Sequence, residues 1–184
     1  MSILSILLFI SLSLLNTSNK LMICAALFVG AALVVNSIVE FYGKSKATYS
    51  LIVCTVLCCV FKLQSFSLMI LISYTAILVS LLSSIIIFEK LKSKLNFHMA
   101  NFITLIIASV VDSAVVCVGL LYKFSAGKCL SIYIRDLIFK FSYASVLSIC
   151  LFVGMYLFCL ANKKILSLLS INYLAKKDKK QQKT

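Results

Sequence analysis

Apolar positions fall into six long runs: Ile3–Ser18, Leu21–Val39, Ala47–Phe61, Leu63–Phe88, Met99–Tyr122 and Phe141–Asn162. The runs are continuous and do not alternate apolar with polar residues, which argues against an up-and-down barrel. A helix needs about 20 apolar residues to cross the ~30 Å hydrocarbon layer, and lipid-exposed backbone must satisfy its own hydrogen bonds. The pattern therefore predicts an all-α, polytopic membrane protein. It is a bundle of six transmembrane helices over residues 1–162, followed at 163–184 by a short interfacial segment and a basic tail. The first and third runs are short. They thin the bilayer locally or sit partly inside the bundle, and the third also suits a broken, half-crossing helix. No Lys or Arg precedes the first run, and Lys20 follows it without a small-residue cleavage pattern, so the run reads as a span and not a signal peptide.

Composition agrees with that pattern. Hydrophobic residues make up 62% of the chain and charged residues 12%, against roughly 45–50% and 25% in soluble domains. Too little polar surface remains to cover a water-soluble globule. A cytosolic enzyme and an ordinary nucleic-acid-binding domain are excluded, even at a net charge of +13. The cations are distributed unevenly among the predicted loops. Twelve lie on one side, at Lys44, Lys46, Lys90, Lys92, Lys94, Lys163, Lys164, Lys176, Lys177, Lys179, Lys180 and Lys183. Five lie on the other, at Lys20, Lys62, Lys123, Lys128 and Arg135. The richer side is expected to be cytoplasmic, with both termini inside. Ile165–Leu174 is too short to span and reads as interfacial. The Lys- and Gln-rich end, 175–184, reads as a solvated, disordered tail that enforces topology and meets anionic lipid more readily than nucleic acid.

Candidate chemistry is sparse. The eight cysteines contain no C-x-x-C pair, and the one histidine, His98, is expected in a loop. No metal or iron–sulfur spacing occurs. Seven cysteines lie in apolar runs, where thiols behave as small hydrophobes, and Cys129 is expected in an external loop. No phosphate-binding, hydrolase or kinase signature is present. No enzymatic activity, cofactor or metal is therefore expected. What stands out is polarity inside the spans. An ionisable residue at mid-bilayer costs roughly 2.5–3.5 kcal/mol on insertion scales. Asp112 lies 13 residues after Met99 and 10 before Tyr122. Ser109, Asp112 and Ser113 share a helix face at i, i+3 and i+4, directed into the bundle. Asp112 there is either a solute-binding group or a structural carboxyl joining two helices. Asn36 and Glu40 are also i, i+4, and so are Asp136 and Lys140 before the last run. The latter two form either a helix-surface ion pair or a pair dipping into the bundle, with Lys140 also able to snorkel outward. Ser83 and Ser84 lie deep in the fourth run. An inward polar strip of this kind suits a small polar solute better than an ion filter.

Three segments together resemble the queuosine precursor transporter family, which is grouped with vitamin uptake transporters. They are Asn36-Ser-Ile-Val-Glu40-Phe-Tyr42-Gly43-Lys-Ser-Lys-Ala47, Ala108-Ser-Val-Val-Asp112-Ser113 and Asp136-Leu-Ile-Phe-Lys140, the last followed by a helix containing Met155-Tyr156. Thr17-Ser18-Asn19-Lys20 is a weaker match, and the resemblance covers residues 16–160. Asn36 stands where the family has an acidic residue, and family prolines are replaced by Val29 and Gly154. The resemblance implies import of 7-deazaguanine bases, precursors of a modified tRNA nucleoside, across a bacterial inner (plasma) membrane. The implied binding residues are Asp112, Lys140, Asp136, Asn36, Glu40, Tyr42, Ser109 and Ser113. A carboxylate at Asp112 suits the adjacent N–H groups of a guanine-like edge, Lys140 its carbonyl, and Tyr42, Tyr74 or Tyr143 its ring.

Alternatives from other classes remain at this stage. The chain reads equally as the membrane subunit of an importer driven by a separate ATPase, docking through 40–47 or 89–96. It also reads, less well, as a holin-like structural protein. The expected partners are a small purine-like solute, the lipid bilayer, and either an ATPase module or a second copy of the chain. Nucleic acid is not among them.

Overall fold

A computed structural model describes the backbone of residues 2–15, 17–18, 20–62 and 68–181. Side chains are described through Leu160, except those of Ser2 and Cys159. The described residues form six helices and no strand: α1 (Ser2–Leu15), α2 (Leu21–Tyr42), α3 (Lys44–Phe61), α4 (Leu68–Leu91), α5 (Phe97–Leu120) and α6 (Ala126–Gln181). The chain is an all-α, multi-pass membrane protein. Five segments are long and apolar enough to cross a bilayer: α2, α3, α4, α5 and Ala126–Phe158 of α6. The sixth helix, α1, has 14 residues, about 21 Å at 1.5 Å per residue, and falls short of the hydrocarbon thickness.

The chain divides into two compact units, Met1–Val146 and Leu147–Thr184. The first contains α1–α5 and the start of α6. In it, α2 packs against α1, α3, α4 and α5, and α4 against α5 is the most extensive pairing. Small residues explain the central place of α2. Ala25, Ala31 and Ala32 are wholly buried and let neighbouring backbones approach closely, the usual device for helix association in lipid. α1 seats Leu8, Leu12 and Leu15 inward. Ser5 meets Ser50 of α3 (Oγ–Oγ 3.1 Å), and the Cys58 thiol donates to Phe9 O at 3.9 Å. Later residues of α1 thus meet later residues of α3, so the two helices run parallel, as two alternate crossings do.

Polarity in this unit is reversed relative to a water-soluble domain. Leu7, Ile10, Ile52, Val56, Leu71, Val79, Ile86 and Val118 are exposed, while Asn36, Ser80, Ser84, Asn101, Thr104, Ser109, Asp112, Ser113, Asp136 and Lys140 are buried. Contiguous apolar surface on this scale is expected where the solvent is lipid.

Helix boundaries differ from the hydropathy reading in three places. First, α3 begins at Lys44 and is one continuous helix of 18 residues, so the short third run is not a broken one. A single residue, Gly43, joins α2 to α3 with φ 86° and ψ 166°, a conformation open in practice only to glycine. Second, His98 lies in the first turn of α5, not in a loop. Third, α6 starts at Ala126 and not at Phe141. Its charged residues interrupt the apolar run without ending the helix. Cys129, Asp136, Lys140 and Ala144 are buried, a one-face stripe at helical spacing. Cys129 is accordingly in a helix and buried, not in an external loop. The second unit is the later part of α6, helical to Gln181. Residues 63–67 at the start of the predicted fourth run lie outside the described residues, as do the side chains on which the interfacial placement of Ile165–Leu174 depends.

Close packing of α4 on α5 rests on Gly119, where an added Cβ would fall inside van der Waals contact with Ile72 Cγ2. Gly119→Ala is expected to destabilise the purified protein by about 1–3 kcal/mol through overpacking, read as a lower unfolding midpoint in detergent. Adding Ile72→Ala should recover most of that loss. A Gly119→Ala protein as stable as the parent would show that this contact is not tight.

Candidate functional site

Asp112 and Ser113 sit on the buried face of α5, in the register Ala100/Asn101, Thr104/Leu105, Ala108/Ser109, Asp112/Ser113. Asp136 and Lys140 sit one turn apart on the buried stripe of α6. The two faces meet, and Lys140 turns inward with 3% of its surface exposed. Its Nζ donates to Asp112 Oδ2 at 2.6 Å, to Ser113 Oγ at 2.9 Å and to Asp136 Oδ2. The Ser113 hydroxyl donates in turn to Asp136 Oδ2 at 2.6 Å. The Phe28 ring of α2 covers the ammonium, with its centroid 4.8 Å from Nζ, an attraction worth about 2 kcal/mol where water is excluded.

An ammonium has three N–H donors, and here three acceptors meet it. The donor side is thus used up. Asp112, 6% exposed, has one oxygen on Lys140. Its other oxygen, Oδ1, is buried with no hydrogen-bond partner among the described residues. The Ser80 hydroxyl of α4 is within hydrogen-bonding reach of this carboxylate and of Ile77 O, at 3.0 Å; its one hydrogen serves either acceptor. Among the described residues the ammonium has no hydrogen left to donate, while the two carboxylates keep acceptor capacity at Asp112 Oδ1.

A cavity of about 290 Å³ adjoins the cluster. Asp112, Asp136 and Lys140 line one part of it, and Cys24, Ile72, Ser73, Ile77, Val116 and Ile132 the walls. Leu15, Leu21 and Leu120 also line it, and these are terminal residues of α1, α2 and α5. The cavity thus runs from mid-bundle to the helix ends at Leu15, Leu21 and Leu120. Its volume is at the lower end of the ~300–1,000 Å³ range of ligand pockets, which suits one small solute.

A second buried polar group lies about 16 Å further along α5, by helical rise. Asn36 of α2 donates from Nδ2 to Asn101 Oδ1 at 2.8 Å and accepts from Ser84 Oγ of α4 at 2.9 Å. Three helices are joined there by side-chain amides and a hydroxyl.

Of the residues singled out from sequence, Asp112, Ser113, Asp136 and Lys140 come together. Ser109 is buried on the same face of α5, but its hydroxyl donates to Leu105 O at 2.7 Å. Asn36 belongs to the second group. Glu40 is exposed, and Tyr42 is 38% exposed beneath Lys46. Neither reaches the cluster, and Asn36 is buried while Glu40, four residues on, is exposed. Of Ser83 and Ser84, only Ser84 joins a polar group; Ser83 donates to Val79 O. Tyr42, Tyr74 and Tyr143 do not line the cavity, and Lys140 has no donor left for a solute carbonyl. The two polar groups also involve Phe28, Ser80 and Asn101, which the sequence pattern alone does not single out. Asn101 was findable as a lone amide in an apolar helix, and Ser80 with Ser84 as an i, i+4 pair. Phe28 carries no sequence signal. Comparison with known proteins gives no matching family model, curated protein or solved structure.

Removing one partner from a buried ion pair leaves an uncompensated charge, typically at a cost of about 3–5 kcal/mol. Lys140→Met should lower thermal stability by that order, because it leaves two carboxylates facing each other. Asp136→Asn added to Lys140→Met should restore part of it. Equal stability of Lys140→Met and the parent would exclude a structural ion cluster.

Proposed function

We propose that this chain is a multi-pass carrier of the bacterial inner membrane that imports a small, donor-rich base, with 7-deazaguanine precursors of queuosine as its substrates. One observation carries the reading: a solute-sized cavity runs from the helix ends to a buried carboxylate with a free oxygen. Membrane interiors tolerate such a carboxylate poorly, and function is the usual reason to keep one. The guanine-like edge of a deazaguanine presents adjacent N–H donors, and Asp112 Oδ1 is an acceptor without a partner. The apolar walls, with Ile77, Val116 and Ile132, suit the faces of a fused ring.

Two further points support it. Asp112, Asp136 and Lys140, the ionisable members of two segments resembling the transporter family, belong to one cluster although 28 residues separate the outermost two. The excess of cations in the predicted cytoplasmic loops sets the cavity mouth on the outer face, as an importer requires. A holin-like assembly gives no reason to bury a saturated ammonium inside one bundle. In this reading Lys140 holds and orients Asp112 Oδ2, Asp136 and Ser113 hold Lys140, and Asp112 Oδ1 meets the solute.

Queuosine in tRNA provides the test. A host that neither makes nor imports the precursors is fed low external precursor and expresses this chain. Restored queuosine is expected, with loss of at least about tenfold in uptake for Asp112→Ala, since a charged acceptor lost from a buried site costs more than 1.4 kcal/mol. Absence of restoration by membrane-inserted wild-type protein would overturn the substrate assignment.

A further inference from the structure

The ionisable groups facing the cavity can be enumerated. Asp112 comes from α5, and Asp136 and Lys140 come from α6; α2 contributes the Cys24 thiol, and the lining residues of α1 and α4 bear no charge. The thiol donates to Ser18 O at 3.3 Å and counts as neutral. Two carboxylates thus face one ammonium, in a site where all three side chains are nine-tenths or more buried. The site is short of one positive charge. Among the described residues Asp112 Oδ1 is a fully buried acceptor without a hydrogen-bond partner in the geometry, the bonds to Asp136 fall on its Oδ2 alone, and the site's ammonium has no hydrogen left to give.

From this we infer that the cavity takes its solute as an organic monocation, whose ammonium or amidinium group lies in the cavity beside Asp112 and Asp136 and supplies the missing charge. An inorganic ion is the poorer fit. Such an ion demands six or so oxygen ligands, whereas Ile72, Ile77, Val116 and Ile132 form most of the surroundings. Apolar walls around a single charge match a molecule with a cationic end and an apolar or aromatic body. The inference rests on the carrier reading given above and narrows it: among bases of one shape, the protonated amine is preferred over its neutral counterpart.

The test uses full-length protein in lipid nanodiscs and two matched ligand pairs, with affinities from calorimetry. One pair is a 7-deazaguanine bearing an aminomethyl group and one bearing a nitrile. The other, unrelated to any base, is benzamidine and benzamide. The expected result is a preference for the cation of about tenfold or more in each pair, because an opposite charge a few ångströms from a buried carboxylate is worth at least that factor. Asp136→Asn removes the surplus negative charge while keeping a group that accepts from Lys140. It should bring the cation preference within each pair close to parity. If benzamidine is preferred and neither deazaguanine binds, the inference holds and the base-import reading falls. If deazaguanines bind without regard to charge, the inference falls and base import stands. Binding of neither cation, or a preference that survives Asp136→Asn, overturns the inference. Should Asp136→Asn fail to fold, the preference of the wild-type protein within the two pairs decides alone.

Discussion

One ammonium shared by two carboxylates inside a membrane bundle governs this molecule. None of the three charges is tolerable alone in a medium that cannot solvate it. Lys140 is held on the interior face of α6 because its three hydrogens are met there, by Asp112 and Ser113 of α5 and by Asp136 one turn away. That requirement fixes the rotation of α6 about its own axis and its register along α5. It also explains how a helix carrying Asp136 and Lys140 remains regular from Ala126 onward. Of the charges that interrupt its apolar run, Asp136 and Lys140 pair with each other inside the protein, and Lys128 and Arg135 stay exposed.

Around the cluster the bundle follows from what lipid can and cannot drive. Hydrocarbon is as apolar as leucine, so burial of Leu or Ile supplies little net attraction between spans. Association rests on close packing and on polar contacts that would otherwise be orphaned. Both are visible here. Ala25, Ala31 and Ala32 let α2 sit among four neighbours, and Gly119 lets α5 approach Ile72 of α4. Asn36, Ser84 and Asn101 tie α2, α4 and α5 together at a level separate from the ion cluster. The two polar levels divide the work. The amide–hydroxyl group is wholly buried and serves helix association. The ion cluster borders a cavity and retains an unmatched acceptor. Each level keeps a buried atom without a partner, Asn101 Nδ2 in the amide–hydroxyl group and Asp112 Oδ1 in the ion cluster, and of the two residues Asp112 lines the cavity.

The amino-acid sequence by itself determined the solvent, the kind of element and nearly all the spans, because a bilayer forces any apolar run of sufficient length into helix. It also marked Asp112, Asp136, Lys140 and Asn36 as anomalies, since each is a polar group that lipid should have excluded. What it left undetermined is pairing. A hydropathy profile records depth but not the azimuth of a side chain or the identity of the neighbouring helix. Only the tertiary structure therefore joined Asp112 to Lys140, gave Asn36 to Asn101 and Ser84, and left Glu40 and Tyr42 at the surface. It also moved the start of α6 back to Ala126, because charges that neutralise each other across an interface look, along one chain, like the polarity of a loop.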